Sequence, residues 1–355
     1  MLKYKIILFI KKLFFIERVN ENDNIFLKFN FLGLTFKIRD YIKEIDSLNE
    51  KFSKQSEQIN CIISENQLLR TILEKSVDIK KVPAATGNLR KVQLIKTKLL
   101  ELAAIILKQN NISFWLDYGT LIGAIRHNGF VPWDDDIDVS LLKEDILKLP
   151  KIFEVLTNNN SDFKFTHENI YVSIPRLFYK DFCIDFFSFE YINDKCNSED
   201  AKANFARKWY KIHTKFNENY DFKKFIKSKN IDDAFEYTLN LKKEIISDNY
   251  AENKDSEQII YSPEFTFIAD KCAVIDTKCL FPLKEENFEG LVLTIPNDAI
   301  EYLYEHKLYG AKGSVMSFPK ITDNGFYHTQ NSYENIDIDL DKIYNELSDI
   351  VNSFK

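Results

Sequence analysis

"YGTLIGAIRHNGFVPWDDDIDVSL", Tyr118 to Leu141, sets a Gly-Thr pair at the head of an apolar segment, then a loop with Arg126 and His127, then four aspartates within five positions. Like charges so close repel, so the run is either a solvated turn or a place where a cation sits. In an extended strand alternate residues share a face. That projects Asp136 and Asp138 to one side, with Cα atoms roughly 6–7 Å apart, and turns Ile137 and Val139 towards a core. Two hard oxygen donors in this arrangement suit Mg²⁺ or Mn²⁺, which keep waters and share their remaining coordination with substrate phosphates. Asp134 and Asp135, at the strand entrance, read as turn formers rather than ligands.

Upstream, "SFWLDYG" reads as a strand running into a turn at Gly119. Gly119 permits close backbone approach, and the first N–H groups of the following helix, with the Thr120 hydroxyl, offer a place for a phosphate oxygen. The fork of Arg126 also suits phosphate, with a salt bridge to Asp134 or Asp135 as the alternative. His127 reads as a loop residue. Trp115 and Trp133 present rings of the kind that bind quaternary ammonium groups, but among 30 Phe and 17 Tyr an aromatic ring is first of all core. Strand, Gly-Thr, helix, loop and Asp-x-Asp strand, in that order, match the nucleotidyltransferase arrangement, in which a third carboxylate on a nearby strand completes a two-metal site. Asp185, in "FCIDFFSF", is the candidate, and pairing with Arg176 at a strand edge is its alternative role.

The remaining chain supports one α/β (α+β) catalytic domain over 88–330, a nucleotidyltransferase-like mixed sheet with flanking helices. "LRKVQLIKTKLLELAAIILKQNN" reads as a helix, "DIDVSLL" as a strand, "KEDILKLPKIFEVL" as a helix and "NIYVSIPRLFYKDFCIDFFSF" as two apolar strands. Residues 198–255 form a variable helical segment, 331–355 a helical tail, and "VPAATGNLRK" (82–91) a linker. With 355 residues, 45% of them hydrophobic, the chain can bury a sizeable core. A net charge of −6 without a basic stripe argues against nucleic acid as a partner. Five cysteines without CxxC spacing argue against a zinc site and a disulfide framework and fit a reducing, cytoplasmic compartment.

Ahead of the catalytic domain lie two further segments. Residues 1–40 are basic and apolar. Their first apolar run is too short to span a bilayer, and residues 1–18 suit either peripheral contact with an anionic inner membrane face or packing on "IFLKFNFLGLTFKI", which looks like short strands. Residues 41–80 form a coiled-coil helix: Ile45, Phe52, Ile59, Asn66 and Leu73 fall at one heptad position, and Leu48, Gln55, Ile62, Leu69 and Ser76 at the other. The stripe predicts self-association through 42–77 along a rod of roughly 50 Å, with the polar Asn66 fixing register and strand number.

The Tyr118–Leu141 stretch closely resembles the signature of the LicD family, whose members include bacterial phosphocholine transferases and, more distantly, the fukutin-related proteins. "IPRLFYKDFCIDFFSF" and "LFPLKEENFEGLVLTIPNDAIEYLYEHKLYG", Leu280 to Gly310, resemble later landmarks of the same family. The resemblance implies transfer of a substituted phosphate, phosphocholine or a similar group, from a CDP-linked donor to a hydroxyl of a cell-surface glycan such as lipopolysaccharide or teichoic acid, with CMP leaving. It implies donor phosphate at Gly119 and Thr120, metal at Asp136 and Asp138, and Asp185 as the third carboxylate, either as base or as ligand. A metal-dependent glycosyltransferase also uses an Asp-x-Asp, but without the Gly-Thr requirement. A non-catalytic membrane-associated coiled-coil scaffold is the other alternative, and intact acids at all three positions speak against it.

Overall fold

Three strands open the described chain: Phe14–Glu21 (β1), Asn24–Phe31 (β2) and Leu34–Arg39 (β3). The computed structural model describes residues 14–21, 24–31, 34–39, 42–166, 174–192, 195–219, 231–247, 255–262, 273–307, 314–317, 333 and 337–355. It divides into two units, Met1–Ile72 and Leu73–Lys355. In the first, β2 pairs antiparallel with both neighbours, in register from Phe14↔Phe31 and from Phe31↔Leu34, so the strands expected in "IFLKFNFLGLTFKI" are present. Most of the basic segment 1–18 lies outside the described residues. The helix Ile42–Ser76 (α1) follows as one uninterrupted rod.

In the second unit a 3₁₀ turn, Ile79–Lys81, precedes Gly87–Gln109 (α2). The helix starts inside the segment expected to be a linker, because Leu89, Val92 and Ile95 already face the core. Gly87, at φ +61°, turns the chain into it. Phe114–Leu116 (β4) leads into Tyr118–His127 (α3), and the aspartate loop leads into Asp138–Leu142 (β5). Where one continuous helix is expected, three single turns follow, Lys143–Ile146, Leu149–Ile152 and Glu154–Thr157. Pro150 supplies no N–H there, so a helix arriving from Lys143 stops before it.

Phe163–Thr166 (β6), Arg176–Tyr179 (β7) and Phe182–Tyr191 (β8) come next, then two helices, Glu199–Asn219 (α4) and Ile231–Ile245 (α5). The chain continues through Gln258–Tyr261 (β9), Ile275–Asp276 (β10), the hairpin Lys284–Phe288 (β11) and Leu291–Ile295 (β12), Ala299–Glu305 (α6) and Leu340–Phe354 (α7). The result is a mixed α/β fold with a long helix before it, as the sequence predicts.

Strand β8 organises the sheet, whose main path runs β10-β9-β8-β5-β4. Along one edge it pairs parallel with β5. Its other edge is shared, with β7 antiparallel to the first residues and β9 antiparallel to the last. Along β8, Phe182, Ile184 and Phe186 are buried while Cys183 and Asp185 are partly open, the period-2 alternation of a half-buried strand. The helix α7 sets Leu340, Ile343, Leu347 and Val351 against α2, so the C-terminal segment expected as a tail is built into the main core. A smaller core around Trp209 and Ile212 joins α4, α5 and β9, and there Lys143 and Lys242 pair with the buried Glu190. No described helix is long and apolar enough to cross a membrane.

Candidate active site

The carboxylates gather where the loop after α3 enters β5. Asp138 is the first residue of β5 and stands opposite Asp185 of β8, which in turn stands opposite Arg176 of β7. Three adjacent strands therefore present Asp138, Asp185 and Arg176 in one row. Arg176 binds Asp185 through both arms of its fork, Nε to Oδ1 at 2.7 Å and one Nη to Oδ2 at 2.9 Å. The ion pair considered as Asp185's alternative role is thus formed, and it lies inside the acidic row rather than away from it.

Asp136 does not share the strand with Asp138. It lies in the loop just before β5, because Asp134 folds that loop: its Oδ1 accepts from the backbone N–H groups of Asp135, at 2.9 Å, and Asp136, at 3.3 Å. Asp134, Asp135 and Asp136 nevertheless bring one oxygen each within 4.8 Å of one another. Asp135 is buried and meets Lys96 of α2 at 3.7 Å and the Tyr333 hydroxyl. Lys96 also reaches Asp136 at 3.4 Å. The two aspartates read as turn formers thus share a cluster with Asp136, while Asp138 stands beside it at the start of β5.

The Gly-Thr turn serves the aspartate loop directly. Thr120 is buried, and its hydroxyl accepts from Asp138 N–H at 2.8 Å and donates to the Asp136 carbonyl at 3.3 Å. That hydroxyl is therefore committed to holding the loop and not presented to a phosphate. A Cβ on Gly119 would lie 2.4 Å from Asp134 Oδ2, so glycine at this position makes the room that the Asp134 carboxylate fills. One turn along α3, a Cβ on Gly123 would lie 2.3 Å from the Gly129 carbonyl oxygen, and this close approach seats the loop on the helix.

Arg126 is also committed. Buried in α3, it donates to the carbonyls of Val315 at 2.8 Å and Ser317 at 3.5 Å, and its guanidinium lies over the Trp133 ring. Burial lowers its pKa to about 10, against the pull of Asp134. Its hydrogen bonds thus dock residues 314–317. His127 accepts from Arg126 Nε, and burial beside that cation lowers its pKa to about 4, so it is neutral at physiological pH. Trp115 is wholly buried and donates to the Tyr302 hydroxyl, which removes it from any ligand site.

The electrostatics of the row are unbalanced. Burial, then the charges of Asp136, Asp185, Asp134 and Asp117, push Asp138 well above the usual carboxylate range. Burial likewise raises Asp185, Arg176 pulls it back, and Asp136 raises it again, for a net upward shift. Burial disfavours the charge on Lys96, but Asp136 and Asp135 outweigh it and hold the amine above its ordinary value. Asp135, Asp136 and Asp185 share Lys96 and Arg176, and Asp134 and Asp138 add further acids beside them, an accumulation of hard oxygen donors that a divalent cation would relieve. Asp136, Asp138 and Asp185 fit such an ion by donor type. Cys183 approaches Asp185 at 3.9 Å, and burial raises its thiol to about 11, so it stays protonated.

Residues 111–229, which contain the row, the aspartate loop and the Gly-Thr turn, match the family described as LicD/FKTN/FKRP, nucleotidyltransferase domain. By this match the segment is similar to the LicD family. An uncharacterized protein of Rickettsia typhi is 34% identical over 90 residues, which is 25% of this chain and 27% of that protein. The lipopolysaccharide cholinephosphotransferase LicD of Haemophilus influenzae is 38% identical over 82 residues, 23% of this chain and 28% of that protein. The ribitol 5-phosphate transferase FKRP of Mus musculus is 39% identical over 41 residues, 12% of this chain and 8% of that protein. The chain thus matches 28% or less of the length of each of these three.

Several residues that support the acidic site carry no motif of their own. Lys96 sits on an amphipathic helix where its neighbours look like ordinary core, and Tyr333 arrives from nearly 200 residues away. Asp117 had a readable signal, an Asp directly before a helix. Fully buried, it caps α3 by accepting from Tyr118 N–H at 2.7 Å and accepts from Ser140 at 2.6 Å and Tyr302 at 2.9 Å. Glu289, in the Phe-Glu-Gly landmark, accepts from both arms of Arg90, at 2.8 and 2.6 Å, and from Phe130 N–H at 3.1 Å. The β11–β12 turn therefore clamps the start of α2 to the loop that precedes the aspartates.

Proposed function

We propose that this LicD-like domain transfers a substituted phosphate from a CDP-linked donor to a hydroxyl of a cell-surface glycan, and that CMP leaves. The observation that carries the reading is the row Asp138, Asp185 and Arg176 across three paired strands, with Asp136 at its end, inside the segment that matches the family. The names of the Haemophilus and mouse relatives support it, since both describe transfer of a phosphorylated alcohol. Asp136 and Asp138 would hold Mg²⁺ or Mn²⁺, with Asp185 as the third carboxylate. When bound, the ion neutralises donor phosphate and steadies the leaving group.

The chain's own groups do the positioning. Arg176 fixes the plane of the Asp185 carboxylate through its two-armed contact and keeps a cation beside the place where phosphate charge arrives. Lys96 offsets Asp135 and Asp136 from below. Gly119 and Thr120 act on the donor through the loop: Gly119 admits Asp134, and Thr120 holds the Asp136–Asp138 backbone.

Incubating the purified chain with CDP-choline, CDP-ethanolamine, CDP-glycerol, CDP-ribitol and a set of UDP-sugars, each with Mg²⁺, Mn²⁺ or EDTA, tests the proposal. CMP release from a CDP-alcohol, present with metal and absent in EDTA, is the expected result. Consumption of a UDP-sugar alone would move the assignment to glycosyl transfer, and CMP release undiminished by EDTA would remove the metal from the reading.

A further inference from the structure

We infer that α1 is a dimerisation helix whose partner is α1 of a second copy of this chain. The structure leaves the heptad stripe open: Leu48, Phe52, Ile59, Ile62, Leu69 and Leu73 are between 45% and 73% exposed, with Phe52 the most open. Six large apolar side chains in one line on an uninterrupted 35-residue helix do not stay in water at equilibrium when a complementary surface exists.

Three observations select a second copy as the occupant. Six of the eight seam positions from Leu48 to Leu73 are large and apolar, with Gln55 and Asn66 the polar two, and this seven-residue spacing keeps a seam facing another helix in a left-handed supercoil; Ile63, Leu68 and Ile72 are the exposed apolar residues off it. The seam also carries its own polar match. Asn66 occupies a seam position among aliphatic residues, and paired helices satisfy such an amide with the same or an equivalent residue on the partner, which also selects two strands. Finally, the area is sufficient. The exposed parts of the six side chains amount to roughly 600 Å² per helix, so two copies together remove about 1,200 Å² of apolar surface, where specific interfaces begin to be stable.

The inference is independent of the transferase reading, and its test uses the full-length chain. Sedimentation equilibrium or light scattering at about 10 µM, a concentration well above a submicromolar Kd, should give twice the mass of one chain. The double variant Ile59→Glu/Ile62→Glu places four charges in the paired seam and should raise the dissociation constant at least about 100-fold, lowering the average mass well below that of two chains at the same concentration. Leu68→Glu tests the direction of the face. Leu68 is 62% exposed but lies off the stripe, so this variant should remain dimeric. Circular dichroism confirms that each variant keeps its helix content. A monomeric wild-type chain overturns the inference, as does a dimer that survives the double seam substitution or that Leu68→Glu dissociates equally well.

Discussion

Asp138 and Asp185 stand directly opposite each other in the parallel pairing of β5 with β8, and the proton affinity of both is raised above that of an ordinary aspartate. Two carboxylates face each other there because the strand register demands it, and the apo protein bears the cost. For Asp138 the sign is fixed by the raised value: the unfolded chain ionises first, so stability falls as pH rises from the usual 3.8 through the raised folded value. Asp138→Asn removes that loss. At neutral pH and in EDTA its Tm should exceed that of the wild type by about 2–4 °C, and this gain should vanish near pH 4. Added Mg²⁺ should raise the wild-type Tm and leave the variant unchanged. A variant less stable than wild type in EDTA would show that the charge on Asp138 is satisfied without a metal.

The two glycines of α3 separate a role in the site from a role in packing. In Gly119→Ala the new methyl meets only the tip of Asp134, which can swing aside. Stability should change little while Mg²⁺ affinity, read by titration calorimetry, drops at least about tenfold, a difference of about 1.4 kcal/mol. In Gly123→Ala the methyl meets the backbone carbonyl of Gly129, so the loop itself must move. That overpacking should cost about 1–3 kcal/mol in urea unfolding. Equal stability losses in the two variants would mean that the Asp134 carboxylate is fixed as rigidly as backbone.

Much of this architecture was legible because its signals are local. The alternation of "FCIDFFSF" predicts which side of β8 Asp185 takes, and β8 obeys it because Phe182, Ile184 and Phe186 must be buried. The Asp-x-Asp reading placed Asp136 on the strand for the same periodic reason and missed the competing local bond. Asp134's side chain captures two backbone N–H groups, and the strand starts two residues later. Thr120 and Arg126 suit phosphate by their chemistry, and each also meets groups no local window contains, the Asp136–Asp138 backbone and the Val315 and Ser317 carbonyls. Lys96 and Tyr333 were illegible for the same reason: what makes them part of the site is a tertiary contact.

His127 supplies a pH dependence of opposite sign to that of Asp138. Its folded pKa is lowered from 6.5 to about 4, so the unfolded chain takes up the proton first and stability is lost as pH falls from about 6.5 to about 4. His127→Gln should flatten that part of the Tm-against-pH curve while leaving the pH profile of CMP release between pH 6 and 9 unchanged, because the imidazole is already neutral there. A shifted activity profile in His127→Gln would make this residue a participant in proton transfer.

The pairing of Asp185 with Arg176 leads to the most demanding prediction, since it sets a catalytic part for Asp185 against a purely structural one. Both side chains are partly open, at 21% and 25%, yet their two-armed contact is part of the acidic row. Arg176→Ala leaves Asp185 facing Asp138 with its nearest counter-charge gone, so the apo protein should lose about 1–3 kcal/mol. Because the loss comes from uncompensated negative charge, saturating Mg²⁺ should restore most of it. Asp185→Asn removes one of the repelling acids while leaving an amide oxygen for Arg176 to bind. Its stability should fall less than that of Arg176→Ala and gain less from Mg²⁺, while CMP release falls at least roughly 10²-fold. Thermal melts with EDTA and with Mg²⁺, beside turnover for both variants, decide the matter. Equal losses of stability that Mg²⁺ does not repair would make the pair a structural brace, and a folded, fully active Asp185→Asn enzyme would remove Asp185 from the site.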